Sequence, residues 1–155
     1  MAGNTALKIF AQKLRTSKQF AANKAVDYIN NNSTSKIIGD YNREQMLEGE
    51  DAERKDLGEY GAWRTMQRAE VGLQTDFIDL KFEGNFHESI YGEGNLLSSA
   101  KPAVVISTTS PEDWDAISED ERFKRALGLN QDNRDKVGMM IALEIQKELL
   151  KYYMP

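Results

Sequence analysis

An α+β fold, a small antiparallel sheet packed by helices between a long N-terminal helix and an amphipathic C-terminal helix, is predicted by three features of the sequence. Apolar residues recur at helical spacing at both ends, with Leu7, Phe10, Ala11 and Leu14 near the start and Val137, Ile141, Ile145, Leu149 and Tyr153 near the finish. FIDLKF, residues 77–82, alternates as a half-buried strand does, with Ile78, Leu80 and Phe82 on one face. AVVISTT, residues 103–109, is rich in the β-branched residues that strands favour. At 155 residues and 40% apolar content the chain is long enough for one domain with a core and too short for two. Residues 1–36 read as a basic helical arm and residues 37–155 as the α+β body.

Taken in order, the first helix covers residues 5–30 as one piece or two, because Ala22, Val26 and Ile29 continue the early stripe. NNNSTS, residues 30–35, reads as a polar stop, since Asn and Ser side chains compete for backbone hydrogen bonds. A short helix over residues 43–47 and an exposed acidic loop follow. Ala62, Met66, Ala69 and Leu73 mark a helix with Trp63 beside it. After the 77–82 strand, Asn85 to Glu88 fits an Asn-initiated capping box, which turns Phe86 and Ile90 inward and leaves His87 on an exposed flank. A weaker strand lies over residues 91–97, in which YGEGN reads as a hairpin turn. SPEDWDAI and SEDERFKRAL each open with a serine at a cap position, giving two short helices, the second ended by Gly128 in the left-handed conformation. Asn130 caps the final helix.

Charge is unevenly placed. Residues 1–36 carry Lys8, Lys13, Arg15, Lys18, Lys24 and Lys36 against Asp27 alone, a net of +5, so the remainder of this −5 chain sums to −10. Opposite potentials on one chain steer head-to-tail contact between copies, or contact of the arm with an acidic partner; a solvated helix face is the plainer reading of the same lysines. Lys8, Lys13, Arg15 and Lys18, with the large aromatics Trp63 and Trp114, are therefore the candidate interface residues. An acidic body argues against sequence-specific DNA binding. No apolar run is long enough to span a bilayer.

The sequence offers little for catalysis, cofactor binding or metal ligation. Zero cysteines and one histidine remove thiolate nucleophiles and multi-histidine ligand sets. Glu83, His87 and Glu88 are the sole acid–histidine grouping, and the capping reading already occupies Glu88. The acidic run of residues 48–56 lacks the alternating oxygen pattern of a calcium loop, and no phosphate-binding glycine motif is present. No catalytic, cofactor or metal residue is assigned.

Read together, Gln45, Leu47, Gly49, Lys55, Leu57 and Tyr60, then Thr65 and Arg68, then Leu80, Gly84, Phe86, Ser89 and Ile90, resemble a pattern of the virion-morphogenesis and tail-completion proteins of tailed phages, including the Mu-type family. FKRALGLNQDNRDKV is similar to the closing segment of that family, with Phe123, Leu127, Gly128 and Leu129 in the matching places. Glu83 stands where the family usually has Thr, and a Pro-containing stretch before the closing segment is missing.

The resemblance implies a non-enzymatic virion subunit in a homo-oligomeric ring, dodecamer or hexamer, at the neck or proximal tail. It also implies assembly in the host cytoplasm, contacts with portal, connector or tail proteins, and non-specific passage of double-stranded DNA. An acidic lining would let DNA slide, because phosphates find no cations to exchange for their counterions. Two readings from other classes stand beside it. One is an adaptor or scaffold binding an acidic partner through the basic helix; the other is a small hydrolase built on Glu83, His87 and Glu88.

Overall fold

The computed structural model describes residues 2–81 and 84–154, apart from the side chains of residues 2–7, 10 and 15. Leu7 and Phe10 of the first apolar stripe, the candidate interface residue Arg15, Phe82 at the end of the expected strand and Glu83 lie outside the described side chains. The fold is α+β. Its elements are α1 (Ala2–Ile29), α2 (Asn32–Leu47), α3 (Ala62–Glu70), α4 (Asn85–Glu88), β1 (Ile90–Ser98), β2 (Lys101–Thr108), α5 (Pro111–Ser118), a 3-10 turn (Glu121–Phe123) and α6 (Gln131–Tyr153).

β1 and β2 form one antiparallel hairpin, Ile90 opposite Thr108 and Gly94 opposite Val104, with a register shift near Ser98. YGEGN is therefore the middle of a strand and not a turn. Its glycines let helices approach. A Cβ on Gly92 would lie 2.5 Å from Ile38 Cγ2, and one on Gly39 of α2 would lie 2.3 Å from the Ile90 carbonyl oxygen. The outer edge of β1 is covered by side chains: Asn30 Nδ2 donates to the Gly94 carbonyl at 3.1 Å while the Gly94 N–H returns to Asn30 Oδ1 at 2.8 Å. Ser35 Oγ adds a bond to the Gly92 carbonyl at 2.6 Å. A strand edge that would otherwise expose backbone polar groups is satisfied by two helices.

The asparagine and serine run does not stop the helical path for long. Asn31 caps α2 by accepting from the Ser33 N–H at 3.0 Å, and Ser33, Thr34 and Ser35 form the first turn of a 16-residue helix. The expected helix over residues 43–47 is only its last third, and the division at residue 36 falls inside it. What propensity misses here is tertiary: Thr34, Ile38, Asn42, Gln45 and Met46 are all buried.

Two core clusters result. One gathers Met46, Leu57, Ile78, Phe86, Ile90 and Ala126; the other joins Ile29, Ile38, Leu129 and Val137. α1 and α6 run antiparallel from the second cluster, where Ile29 and Val137 meet, to a far end where Lys13 Nζ reaches the Tyr152 carbonyl at 3.3 Å. Phe20 stacks on Tyr152 with ring centres 4.5 Å apart. Asn130 caps α6 as expected, accepting from the Asn133 N–H at 3.0 Å.

Four further expectations are corrected. Residues 77–81 do not form a strand. Asn85 is inside α4; the cap position is Gly84, at φ 92°, and no side chain caps the turn. Gly128 is not left-handed. It is needed because a Cβ there would sit 2.8 Å from that of Ala52. The second helix after Ser110 shortens to the 3-10 turn, opened by Asp120 instead of Ser118, with Asp120 Oδ1 accepting from the Arg122 N–H at 2.9 Å.

Close packing at Gly39 gives a direct test. Gly39→Ala should destabilise the protein by about 1–3 kcal/mol, the usual cost of overpacking, because the new methyl meets main chain and not a mobile side chain. Gly138→Ala, in α6 with nothing within 4 Å, should instead stabilise by about 0.5–1 kcal/mol through helix propensity. Urea midpoints of both variants, measured against the parent, check the opposite signs.

Candidate functional site

α3 is amphipathic with an unusual orientation. Its only buried residue is Arg68, 1% exposed, whereas Trp63 and Met66 are 72% and 60% exposed. Arg68 turns inward because the segment after α3 supplies what a guanidinium needs. Its Nε donates to the Gln74 carbonyl at 2.7 Å, Nη1 to the Lys81 carbonyl, and Nη2 to Asp79 Oδ2 at 2.9 Å. The guanidinium carbon lies 4.3 Å from the centre of the Tyr60 ring, and Tyr60 Oη donates to Asp79 Oδ1 at 2.8 Å. Buried charge is tolerated when paired and hydrogen-bonded, and here each guanidinium nitrogen has a partner.

These contacts explain the missing strand. Ile78 N–H donates to the Gly58 carbonyl at 2.7 Å, and the carbonyls of Gln74 and Lys81 go to Arg68. The Asp79 carbonyl takes a bond from His87 Nε2 at 2.8 Å. Leu80 is left at φ 55°. Backbone groups that a sheet would pair are paired by side chains, so alternation in the sequence coexists with an irregular path.

His87 is thus buried, 3% exposed, and not on a flank. With the ring neutral, donation from Nε2 leaves Nδ1 as a buried lone pair that has no partner among the described residues. Burial holds the His87 pKa below its ordinary value, opposed by the hydrogen bond and charge at Asp79 and helped by the cations Arg43 and Lys81. Burial and the bond to Asp79 push Tyr60 up to about 12. Burial would raise Asp79, but hydrogen bonds from Lys81 N–H, Gln74 and Tyr60, with the charge of Arg68, bring it below the usual carboxylate value. Glu88 is exposed while His87 is buried, and Glu83 lies outside the described residues.

Beside the network lies an open cleft of about 500 Å³, lined by Tyr60, Arg64, Lys81, Phe86, Ile117 and Arg122 among others. Its described lining carries the cations Arg64, Arg68, Lys81 and Arg122 and the carboxylates Glu59 and Asp113. No group of three or more acidic or histidine side chains among the described residues is placed to hold a metal ion. No helix among them is long and apolar enough to cross a membrane.

The residues singled out from the sequence gather in the framework. Phe86 and Ile90 are buried in the first core cluster, with Leu80, Phe123 and Leu127 packed against it. Ser89 Oγ donates to the Phe86 carbonyl at 2.6 Å and meets Thr108 Oγ1, tying α4 to the end of β2. The Gly128 carbonyl accepts from Asn42 Nδ2 at 2.8 Å and Gln45 Nε2 at 3.0 Å, and Leu129 lies in the second cluster. Trp114 is half-buried, its ring parallel to Phe86 at 6.3 Å. Lys8 and Lys18 are exposed on α1, Lys13 is half-buried over Tyr152, and Trp63 is open to solvent.

Sequence reasoning missed the acidic loop's order. Asp51, expected in a solvated run, is 2% exposed and accepts from the N–H groups of Glu53 and Lys55 at 2.7 and 2.9 Å. Arg125 Nε reaches its other oxygen at 3.3 Å. The one legible signal was the pattern of Asp two and four residues before the bonded N–H groups, a side-chain-initiated turn.

No family model, curated protein or solved structure matches the chain.

Two measurements follow from the network. Arg68→Met should cost about 3–5 kcal/mol, because it leaves Asp79 buried without its cation. The pH dependence has a definite sign: with its pKa depressed in the fold, His87 binds protons more readily in the unfolded chain. Stability should therefore hold above the unfolded value of about 6.5 and fall as pH drops from there toward the lower folded value. Denaturation at stepped pH should show that slope in the parent and lose it in His87→Gln, while the Asp79 contribution is lost only below the carboxylate range.

Proposed function

We propose that the chain is a structural subunit of a tailed-phage virion, forming a ring at the head–tail junction or proximal tail. The observation that carries this reading is the convergence of the phage-like motif residues. Leu80, Phe86, Ile90, Phe123 and Leu127 come from separate segments and meet in one core, with Gly84, Ser89, Gly128 and Leu129 at its joints. The motif thus describes a scaffold and not a reaction centre, as suits a protein whose work is assembly.

Charge supports the same reading. The basic residues of α1 are borne on a helix pair that continues past the second core cluster, while residues 37–155 carry −10. Contact of unlike surfaces between successive copies closes into a ring when the rotation permits. The acidic body is suited to DNA transit without retention. The portal, connector and tail proteins on either side would be its neighbours.

Truncation separates arm from core more sharply than the sequence allowed. Ala22, Ala25 and Ile29 are core residues, so deletion of the whole of residues 1–30 removes part of the fold. Charge reversal at the exposed Lys8 and Lys18 is the cleaner change. Lys8→Glu with Lys18→Glu should leave the unfolding free energy within about 0.5 kcal/mol of the parent, as exposed substitutions do. It should reduce incorporation into particles, read by quantitative peptide mass spectrometry of purified virions. Absence of the unaltered chain from virions, or full incorporation of the reversed variant, would sink the reading or its charge argument respectively.

A further inference from the structure

The fold treats the two edges of its hairpin differently. Gly92 and Gly94 of β1 turn their backbone groups away from β2, where Ser35 and Asn30 bond them. Backbone groups alternate sides along a strand, so in the observed register Tyr91, Glu93 and Asn95 point theirs at Ser107, Val105 and Ala103. On β2 the outward groups are therefore the N–H and C=O of Val104, Ile106 and Thr108. Among the described residues none of these has a hydrogen-bond partner, in backbone or side chain, and no third strand joins the sheet. Pro102, next in the alternation, has no N–H to offer and closes the open stretch.

This open edge has the composition of a pairing strand. From Pro102 to Pro111 the chain carries no charge, and Val104, Val105, Ile106, Thr108 and Thr109 are β-branched. Folded proteins blunt such an edge with charges, prolines or a covering element, and here Lys101 and Pro102 guard only its first end. α1 and α2 lie more against β1 than against β2, and neither α5 nor α6 runs beside β2. Gly92 and Gly94, opposite Ile106 and Val104, face Ile38 and Ile29 of the helices, so Val105 faces the other way. It is 43% exposed, midway along the open stretch.

We infer that β2 pairs with β2 of a second copy, antiparallel and about a two-fold axis at Val105, to make one four-stranded sheet. The edge is its own complement. Val104 set against Ile106 of the second copy exchanges both N–H to C=O bonds, the symmetric pair repeats the exchange, and the two Val105 side chains meet between them. The same register sets the exposed Lys101 opposite Thr109 of the second copy, three and four residues before Glu112 and Asp113, the exposed acids that open α5. Glu88, beside the Ser89 whose carbonyl holds the Thr109 N–H, adds a third acid there, so unlike charges meet at each end. Glu93, across from Val105 on β1, is the charge nearest the axis; its two copies lie three strand spacings apart, about 14 Å, beyond the screening length. The contact joins like to like and closes on itself, so it goes beyond the ring reading and does not rest on it.

The chain has no cysteine, so the register can be read by linkage. Val105→Cys, Ala103→Cys and Ser107→Cys variants of the full chain are purified separately, checked for parental circular dichroism and oxidised mildly. Residues directly opposed in a non-hydrogen-bonded pair have Cα atoms about 4.5 Å apart, within disulfide range, whereas Ala103 would face Ser107 and lie about 13 Å from its own copy. The expected result is a disulfide dimer from Val105→Cys alone, none from Ala103→Cys or Ser107→Cys alone, and a dimer when those two are mixed. Val105→Lys, a change at an exposed position, should keep the fold and raise the dimer dissociation constant about tenfold in sedimentation equilibrium, because it sets like charges across the axis. No linked dimer from Val105→Cys would overturn the proposal. Linkage from Ala103→Cys as complete as from Val105→Cys would overturn it too, by showing a shifted or parallel pairing, as would association that Val105→Lys leaves unchanged. Register-specific linkage with the chain absent from virions would overturn the phage reading and leave this contact standing; the converse would overturn only the contact.

Discussion

The guanidinium of Arg68 sets the position of everything between α3 and the hairpin. It bonds carbonyls at Gln74 and Lys81 and the carboxylate of Asp79, three points on a segment with no regular structure. The same segment delivers Ile78 to the core and presents the Asp79 carbonyl to His87, which opens the path into β1. An apolar residue at position 68 could fill the space but could not fix the direction of three backbone groups. The buried pair is better understood as specifying one loop geometry than as a net source of stability, since desolvation offsets much of its Coulombic gain.

Elsewhere the same device recurs with neutral amides. Asn42 and Gln45 of α2 hold the carbonyl of Gly128, Gln45 Oε1 accepts from the Asn130 N–H at 2.7 Å, and Asn133 Nδ2 reaches the Tyr41 carbonyl at 3.2 Å. Asn30 pairs with Gly94 in both directions. The core clusters are small, and irregular turns dock on helices at close range. Backbone groups in those turns must be satisfied, and short amide side chains reach them where no sheet ladder can. Glycines at 39 and 92 then bring the helix and hairpin close enough for the bonds to form.

These joints mark the boundary of what the sequence makes legible. α6 was readable to its cap, because Asn130 and the Val137 to Tyr153 stripe are local signals that agree. The hairpin was readable in β2, where β-branched residues cluster, and the end helices were readable from their periodicity. FIDLKF misled because alternation reports which faces are apolar and not which partner satisfies the backbone; Arg68 and His87, several residues away, took that role. NNNSTS misled for the same reason in reverse: residues that favour turns in isolation were carried into α2 by burial of Thr34 and Ile38. His87 is buried although Phe86 faces the core as its spacing implies, because the irregular segment before α4 brings the Asp79 carbonyl to His87 Nε2, a contact no local pattern announces.

Surface character could be read only in part. The charge division was visible in composition, but the inverted orientation of α3 was not, because Ala62, Met66 and Ala69 spell an ordinary inward stripe. The deciding contact is a long-range ion pair between Arg68 and Asp79. Once the arginine faces in, helical geometry carries Trp63 and Met66 outward, so the residue that orders the interior loop also creates the exposed ridge. Folding and surface presentation are therefore coupled through one side chain: a change that releases Arg68 loosens the loop and at the same time removes the constraint that holds the indole toward solvent.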